Sequence, residues 1–167
     1  MGRVSGRLGG DIGGLDVVCE YADGSVQGRI GGMIRGGDMD LSYDPETGVL
    51  TGRLGGPLIG KDVDLVCTAE RIEGRLGGAV IGVDVSLVRD GETFTGRSGG
   101  DVIGFGAVLT NQGGLVTGRT GGELLGKDIS LGFNPDVPFH VAVAIAVLAR
   151  YTYDELHRSS GAASSHR

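Results

Sequence analysis

The stretch Gly74-Arg75-Leu76-Gly77-Gly78-Ala79-Val80-Ile81-Gly82-Val83-Asp84-Val85-Ser86-Leu87 decides how this chain is read, because it recurs. Its opening motif, Gly-Arg-x-Gly-Gly, begins at Gly6, Gly28, Gly52, Gly74, Gly96 and Gly118, at intervals of 22, 24, 22, 22 and 22 residues. Self-similarity at a fixed period marks one structural unit repeated six times. Let the motif glycine be position 0. Position 8 is then glycine in every copy, and position 10 is Asp16, Asp38, Asp62, Asp84 or Asp128, with Gly106 in the fifth copy. Position 6 is always apolar (Ile12, Ile34, Leu58, Val80, Val102, Leu124), and so is position −2 (Val4, Val26, Leu50, Ile72, Phe94, Val116).

Two patterns of period 2 run through each copy. Even positions from −2 to 6 read apolar, glycine, mostly apolar, glycine, apolar, while positions −1 and 1 are polar, and positions 11 and 13 are apolar, from Val17 and Cys19 to Ile129 and Leu131. Such alternation makes strands with one buried face, so each copy is a two-stranded hairpin. Glycine at position 8 suits a two-residue turn at positions 8 and 9, which would pair position 6 with 11 and position 4 with 13, all facing inward. The glycine pair at positions 3 and 4 can also host a bulge, which leaves the register open. Between copies lie turn residues: Asp23-Gly24, Pro45-Glu46-Thr47-Gly48, Asp90-Gly91 and Gln112-Gly113-Gly114. The two-residue insertion of the second copy falls in one of these connections, as insertions do.

After Leu131 the pattern changes. Asp136 can cap a helix with Pro138 in its first turn. Val141 to Ala149 are then nine unbroken apolar residues, followed by Arg150-Tyr151-Thr152-Tyr153-Asp154-Glu155-Leu156-His157-Arg158. Alternating valine and alanine would also suit a strand; length, cap and alanine content favour a helix over about 136–158, with 159–167 as a disordered tail. A helix apolar on all sides needs covering on all sides. It is too short to span a bilayer, which takes about 20 apolar residues. Twelve strands at about 4.8 Å spacing and roughly 40° tilt close into a barrel about 24 Å across, leaving about 14 Å inside the side-chain layer for a helix of about 10–12 Å. Inward glycines at positions 0 and 4 would thin the wall around it. The expected fold is therefore mainly β: a closed antiparallel barrel of about twelve strands enclosing one C-terminal apolar helix, in a single domain over 1–158. A parallel solenoid of 22-residue coils is the rival, but it would stack like-charged Arg and Asp ladders at strand spacing, which is destabilising.

Glycine contributes 35 of the 167 residues, about three times ordinary usage, without a collagen period. The net charge of −6 argues against a nucleic-acid partner. Cys19 and Cys67 have neither metal nor redox spacing, lie too far apart for a disulfide, and are expected as buried thiols. The first residues lack the apolar run of a secretory signal, so a cytoplasmic location is the expectation.

A β-barrel followed by Asp136-Val137-Pro138-Phe139-His140-Val141-Ala142-Val143-Ala144-Ile145-Ala146-Val147-Leu148 resembles the Tubby C-terminal-like superfamily, which includes phospholipid scramblases and LURP-one-related proteins. The chain is also similar to the glycine-rich bacterial relatives described as β-flowers. The resemblance implies a twelve-stranded barrel around a central helix, and an association with lipid or membrane.

Candidate chemistry is sparse. Arg7, Arg29, Arg53, Arg75, Arg97 and Arg119 point outward by parity, either as a ring that binds anionic headgroups or as partners of Asp on the neighbouring strand. Gly106 removes that Asp in the fifth copy. The spacing Gly-Gly-x-x-x-Gly-x-Asp differs from the calcium-binding nonapeptide of β-rolls, whose sites stack with period nine. His140, His157 and His166 have no carboxylates at ligand spacing, and neither a nucleophile elbow nor a phosphate-binding loop is present. No cofactor, metal or catalytic residue is expected. The expectation is a non-enzymatic barrel that binds lipid or an apolar ligand, peripheral to membrane, with a protein-interaction scaffold as the alternative.

Overall fold

A computed structural model describes residues 1–10, 13–55, 60–78, 80–99, 104–121 and 126–164, with helix side chains as far as His157. The first six strands are β1 Gly2–Leu8, β2 Leu15–Ala22, β3 Ser25–Gly31, β4 Gly36–Tyr43, β5 Val49–Leu54 and β6 Lys61–Cys67. The remaining six are β7 Arg71–Gly77, β8 Gly82–Asp90, β9 Thr93–Gly99, β10 Gly104–Asn111, β11 Leu115–Thr120 and β12 Lys127–Phe133. One helix, α1 Phe139–Ser164, follows. Each strand pairs antiparallel with its chain neighbours, and β1 pairs with β12, so the sheet closes into a twelve-stranded barrel.

The inner face is built by the apolar positions of the repeat. Positions −2, 11 and 13 are buried in all six copies. Val141 to Ala149 of α1 have 0% exposure. Nine consecutive helical residues make about two and a half turns, so no side of the helix is left uncovered. The enclosed rod expected from the sequence is present, and the charged residues of the wall, such as Asp40 and Asp64, face out.

The register differs from the expected one. Position 0 pairs with position 11 within each hairpin, as in Gly6↔Val17, Gly52↔Val63 and Gly74↔Val85. The pairing continues to Gly31↔Gly36 and Gly77↔Gly82, positions 3 and 8. Beyond it, the Gly32 N–H donates to the Arg35 carbonyl (2.8 Å) and the Gly78 N–H to the Ile81 carbonyl (2.7 Å). The hairpin therefore turns at positions 5 and 6, three residues earlier than expected. In the second and fourth copies position 6 (Ile34, Val80) is a fingertip rather than an inward strand residue, and position 4 (Gly32, Gly78) lies in the finger, not the wall. Of the expected inward residues, Ile12, Leu58, Val102 and Leu124 lie outside the described residues.

The glycines serve the backbone rather than the helix. The first glycine of the Gly-Gly pair has φ between 85° and 95° in all six copies, from Gly9 to Gly121, a left-handed conformation that side chains disfavour. The position 0 glycine sits opposite position 13 of the preceding copy, as in Gly28↔Cys19 and Gly74↔Leu65. A Cβ there would lie 2.1 Å from the Val18 carbonyl oxygen at Gly28 and 1.9 Å from that of Val108 at Gly118. The neighbouring strand's backbone, not α1, excludes a side chain. That corrects the expectation that these glycines thin the wall for the helix.

Two ends result. The turn rim carries the short connections between copies, and the loop rim carries the fingers. Helix α1 enters at the turn rim, where Phe139 stacks on Phe133 and meets Phe94 edge-on. Asp136 does not cap it. The Asp136 carboxylate accepts from the Met1 ammonium at 3.3 Å, and the Pro138 carbonyl accepts the first N–H groups, from Val141 and Ala142. The helix continues to Ser164, past the expected end at 158 and into the stretch expected as a tail.

Candidate functional site

The loop rim is where the repeat concentrates its unusual side chains. Arg at position 1 stands opposite position 10, and the ion pairs Arg7–Asp16 (2.6 Å), Arg29–Asp38 (2.7 Å), Arg53–Asp62 (2.6 Å), Arg75–Asp84 (2.8 Å) and Arg119–Asp128 (2.8 Å) form within single hairpins. The same guanidinium groups reach the finger: Arg7, Arg29 and Arg75 each donate Nε–H to the position 4 carbonyl at 3.0 Å. Arg53 donates instead to the Gly60 carbonyl at 2.9 Å. Arg7, Arg29 and Arg75 thus staple their fingers to a strand. Such exposed pairs contribute roughly 0–1 kcal/mol apiece. In the fifth copy Arg97 stands opposite Gly106 in the register, so the carboxylate of the other copies is missing at that place.

Beyond the staples stand apolar tips. Met33 is 94% exposed, Ile34 97%, Val80 94% and Ile81 77%. Between the fingers and the emerging helix run grooves. One of about 490 Å³ is lined by Lys61, Arg75, Val80, Ile81, Tyr151 and Glu155, and one of about 620 Å³ by Arg7, Met33, Ile34, Arg35, Leu156 and His157. Arg35 Nη2 donates to the Leu156 carbonyl (3.2 Å), and the Lys127 ammonium lies 5.3 Å from the Tyr153 ring centre.

No family model matches the chain, and no curated protein or solved structure matches it. Its site is therefore read from geometry alone.

One buried charge holds the helix at this rim. Arg150 is 6% exposed. Its Nη1 donates to the carbonyl and the Oγ1 of Thr120, its Nε donates to Asp154 at 2.9 Å, and its guanidinium lies 5.3 Å from the Phe105 ring centre. The fifth and sixth copies accommodate it. Position 2 is Leu or Ile in the first four copies but Ser98 and Thr120 here, and position 9 is Phe105. Those substitutions were the only sequence sign of this pin.

At the turn rim, the Tyr43 hydroxyl donates to the Cys67 carbonyl (2.9 Å) and meets His140 Nε2 at 2.7 Å, so the imidazole N–H is the donor there. Burial, with the nearby Arg89 charge, lowers the His140 pKa below its usual 6.5. Burial pushes the Tyr43 hydroxyl and the Cys19 and Cys67 thiols up to about 12. Both cysteines are free and buried, and thiols held protonated are poor nucleophiles. Among the described residues, no three His, Cys, Asp or Glu side chains form a metal-binding group.

The structure thus places the predicted arginines in one ring but engages five of them with Asp. The alternation of period 2 places position 6 in a strand and so conceals the exposed tips. A signal existed: position 7 is also apolar in Ile59, Ile81, Ile103 and Leu125, and two adjacent apolar residues break a period of 2.

Proposed function

We propose that the protein is a non-enzymatic β-barrel that binds lipid or another apolar surface through its loop rim, acting at the periphery of a membrane. The observation that carries this reading is the near-complete exposure of Met33, Ile34, Val80 and Ile81 on the fingers. Exposed apolar clusters on a protein surface mark interaction sites. The barrel's own bore is taken up by α1, so the space open to an apolar partner is at the rim. Among the described residues no helix is long and apolar enough to cross a membrane, which fits contact from one side by this end of the molecule. The likeness to the Tubby C-terminal-like superfamily points the same way. Two features of the rim offer contacts: the apolar tips, and the ring of Arg7, Arg29, Arg53, Arg75, Arg97 and Arg119, whose guanidinium groups suit headgroup phosphates. Sedimentation with liposomes of varied headgroup, together with mass spectrometry of material co-purified under native conditions, tests the reading. Recovery of neither lipid nor apolar ligand would defeat it.

A second reading, a scaffold that presents repeated hairpins to proteins, draws on the sixfold repetition of the hairpin in the sequence and in the described strands. A defined homo-oligomer by light scattering, without lipid, would favour it.

A further inference from the structure

We infer that the loop rim docks face-on against a lipid bilayer by inserting its fingertips, so that apolar burial rather than headgroup charge drives the attachment. This rests on the lipid reading above and narrows it to one surface and one mechanism.

Three observations carry it. The first is the placement of the tips. Met33-Ile34 and Val80-Ile81 end separate narrow fingers on different hairpins, held upright by the Gly32–Arg35 and Gly78–Ile81 backbone bonds. Separated tips on one rim suit a plane, which engages several at once, and each added contact multiplies the affinity of the first. Position 6 is apolar in all six copies of the sequence. Where the side chain is seen to pack against nothing, that choice has no purpose in the core.

The second is the engagement of the arginine ring. Five of its members are bound to Asp at 2.6–2.8 Å, and several are also bound to finger carbonyls. A headgroup phosphate would have to compete with a carboxylate already in place. The ring serves to stiffen the fingers, which lowers the entropy lost when tips insert.

The third is the distribution of charge along the barrel axis. The turn rim carries Asp23, Asp44, Glu46, Glu70, Asp90, Glu92 and Asp136 in or beside its connections, against the Met1 ammonium, Arg3, Arg71 and Arg89. With the loop rim on the bilayer, this acidic end points into solvent. An anionic leaflet would repel the opposite orientation.

The test uses the full chain with vesicles of phosphatidylcholine alone and of phosphatidylcholine with phosphatidylserine. The protein is expected to sediment with both, and to lose less than about twofold in partitioning between low salt and about 0.5 M salt, where exposed charges are screened. M33D/I34D and V80D/I81D are each expected to lower partitioning by about tenfold or more, since each trades two insertable side chains for charges. An unchanged melting curve shows that the variants remain folded. Binding that requires phosphatidylserine and vanishes in salt overturns insertion while the lipid reading survives. A single lipid retained in native mass spectra, with no sedimentation on either vesicle, overturns bilayer docking and again spares that reading. Absence of both overturns the two together.

Discussion

Replacing Gly74 by alanine puts the account of the repeat to its sharpest test. A Cβ at this position would lie 2.1 Å from the Asp64 carbonyl oxygen and 2.7 Å from the Leu65 Cα, both on β6. Relief requires β7 to move away by about 1 Å, which opens the ladder around the Leu65↔Gly74 pair. Two or three backbone bonds weakened at about 1 kcal/mol each, together with about 1–3 kcal/mol for an alanine held at the φ of 148° seen there, give a loss of about 3–6 kcal/mol. That is a large share of the roughly 5–15 kcal/mol that stabilises a typical domain. Urea titration reads the loss directly; on heating, it amounts to a fall of about 10 °C for a chain of this size. Gly10→Ala is the matched control, because its Cβ meets nothing within 4 Å. It is expected to stay within about 0.5 kcal/mol of the parent. If the two variants melt together, the close approach of strands at position 0 is not what selects glycine.

Other outcomes follow from buried groups. Arg150→Ala leaves the Thr120 carbonyl and the Asp154 carboxylate without their donor, and is expected to cost about 3 kcal/mol by urea titration; a loss under about 1 kcal/mol would show that the pin is dispensable. His140 binds its proton less readily in the folded protein than in the unfolded chain, whose value lies near 6.5. The unfolded state therefore holds more protons as pH falls, so this group's contribution is full above 6.5 and is lost progressively below it. Urea midpoints measured from about pH 7 to 5.5 should decline, and His140→Gln should flatten that slope; equal slopes would remove His140 from the explanation. Cys19 and Cys67, buried and with pKa pushed to about 12, should resist a thiol reagent at pH 8 until the barrel unfolds, and a fast reaction in native buffer would contradict their burial.

The candidate site was legible only in part. The arginine ring could be read from Arg at position 1 and Asp at position 10, because paired positions sum to an odd number in the expected and the observed register alike, which puts both residues on the outer face either way. Met33 and Val80 escaped, since the glycine at position 8 offers a turn of its own and only the adjacent apolar pair at positions 6 and 7, present in four copies, speaks against it. Arg150 reads in the sequence as the first charged residue after the apolar run; its burial depends on where that run ends relative to the rim, and only packing sets that.

What the amino acids alone determined is the count and the parity: six copies, two strands each, Val17 or Leu65 inward, Asp62 outward, and an apolar rod from Val141 to Ala149 that only a closed wall could cover. Tertiary structure decided the register. The expected pairing of position 6 with 11 and the observed pairing of 0 with 11 differ by six residues, an even number, so every strand residue keeps its face while the turn moves by three. A period of 2 cannot distinguish such shifts. Steric contact between neighbouring backbones can: it places the Cβ-less residue against the next strand, and thereby sends Ile34 and Val80 out to the fingertips.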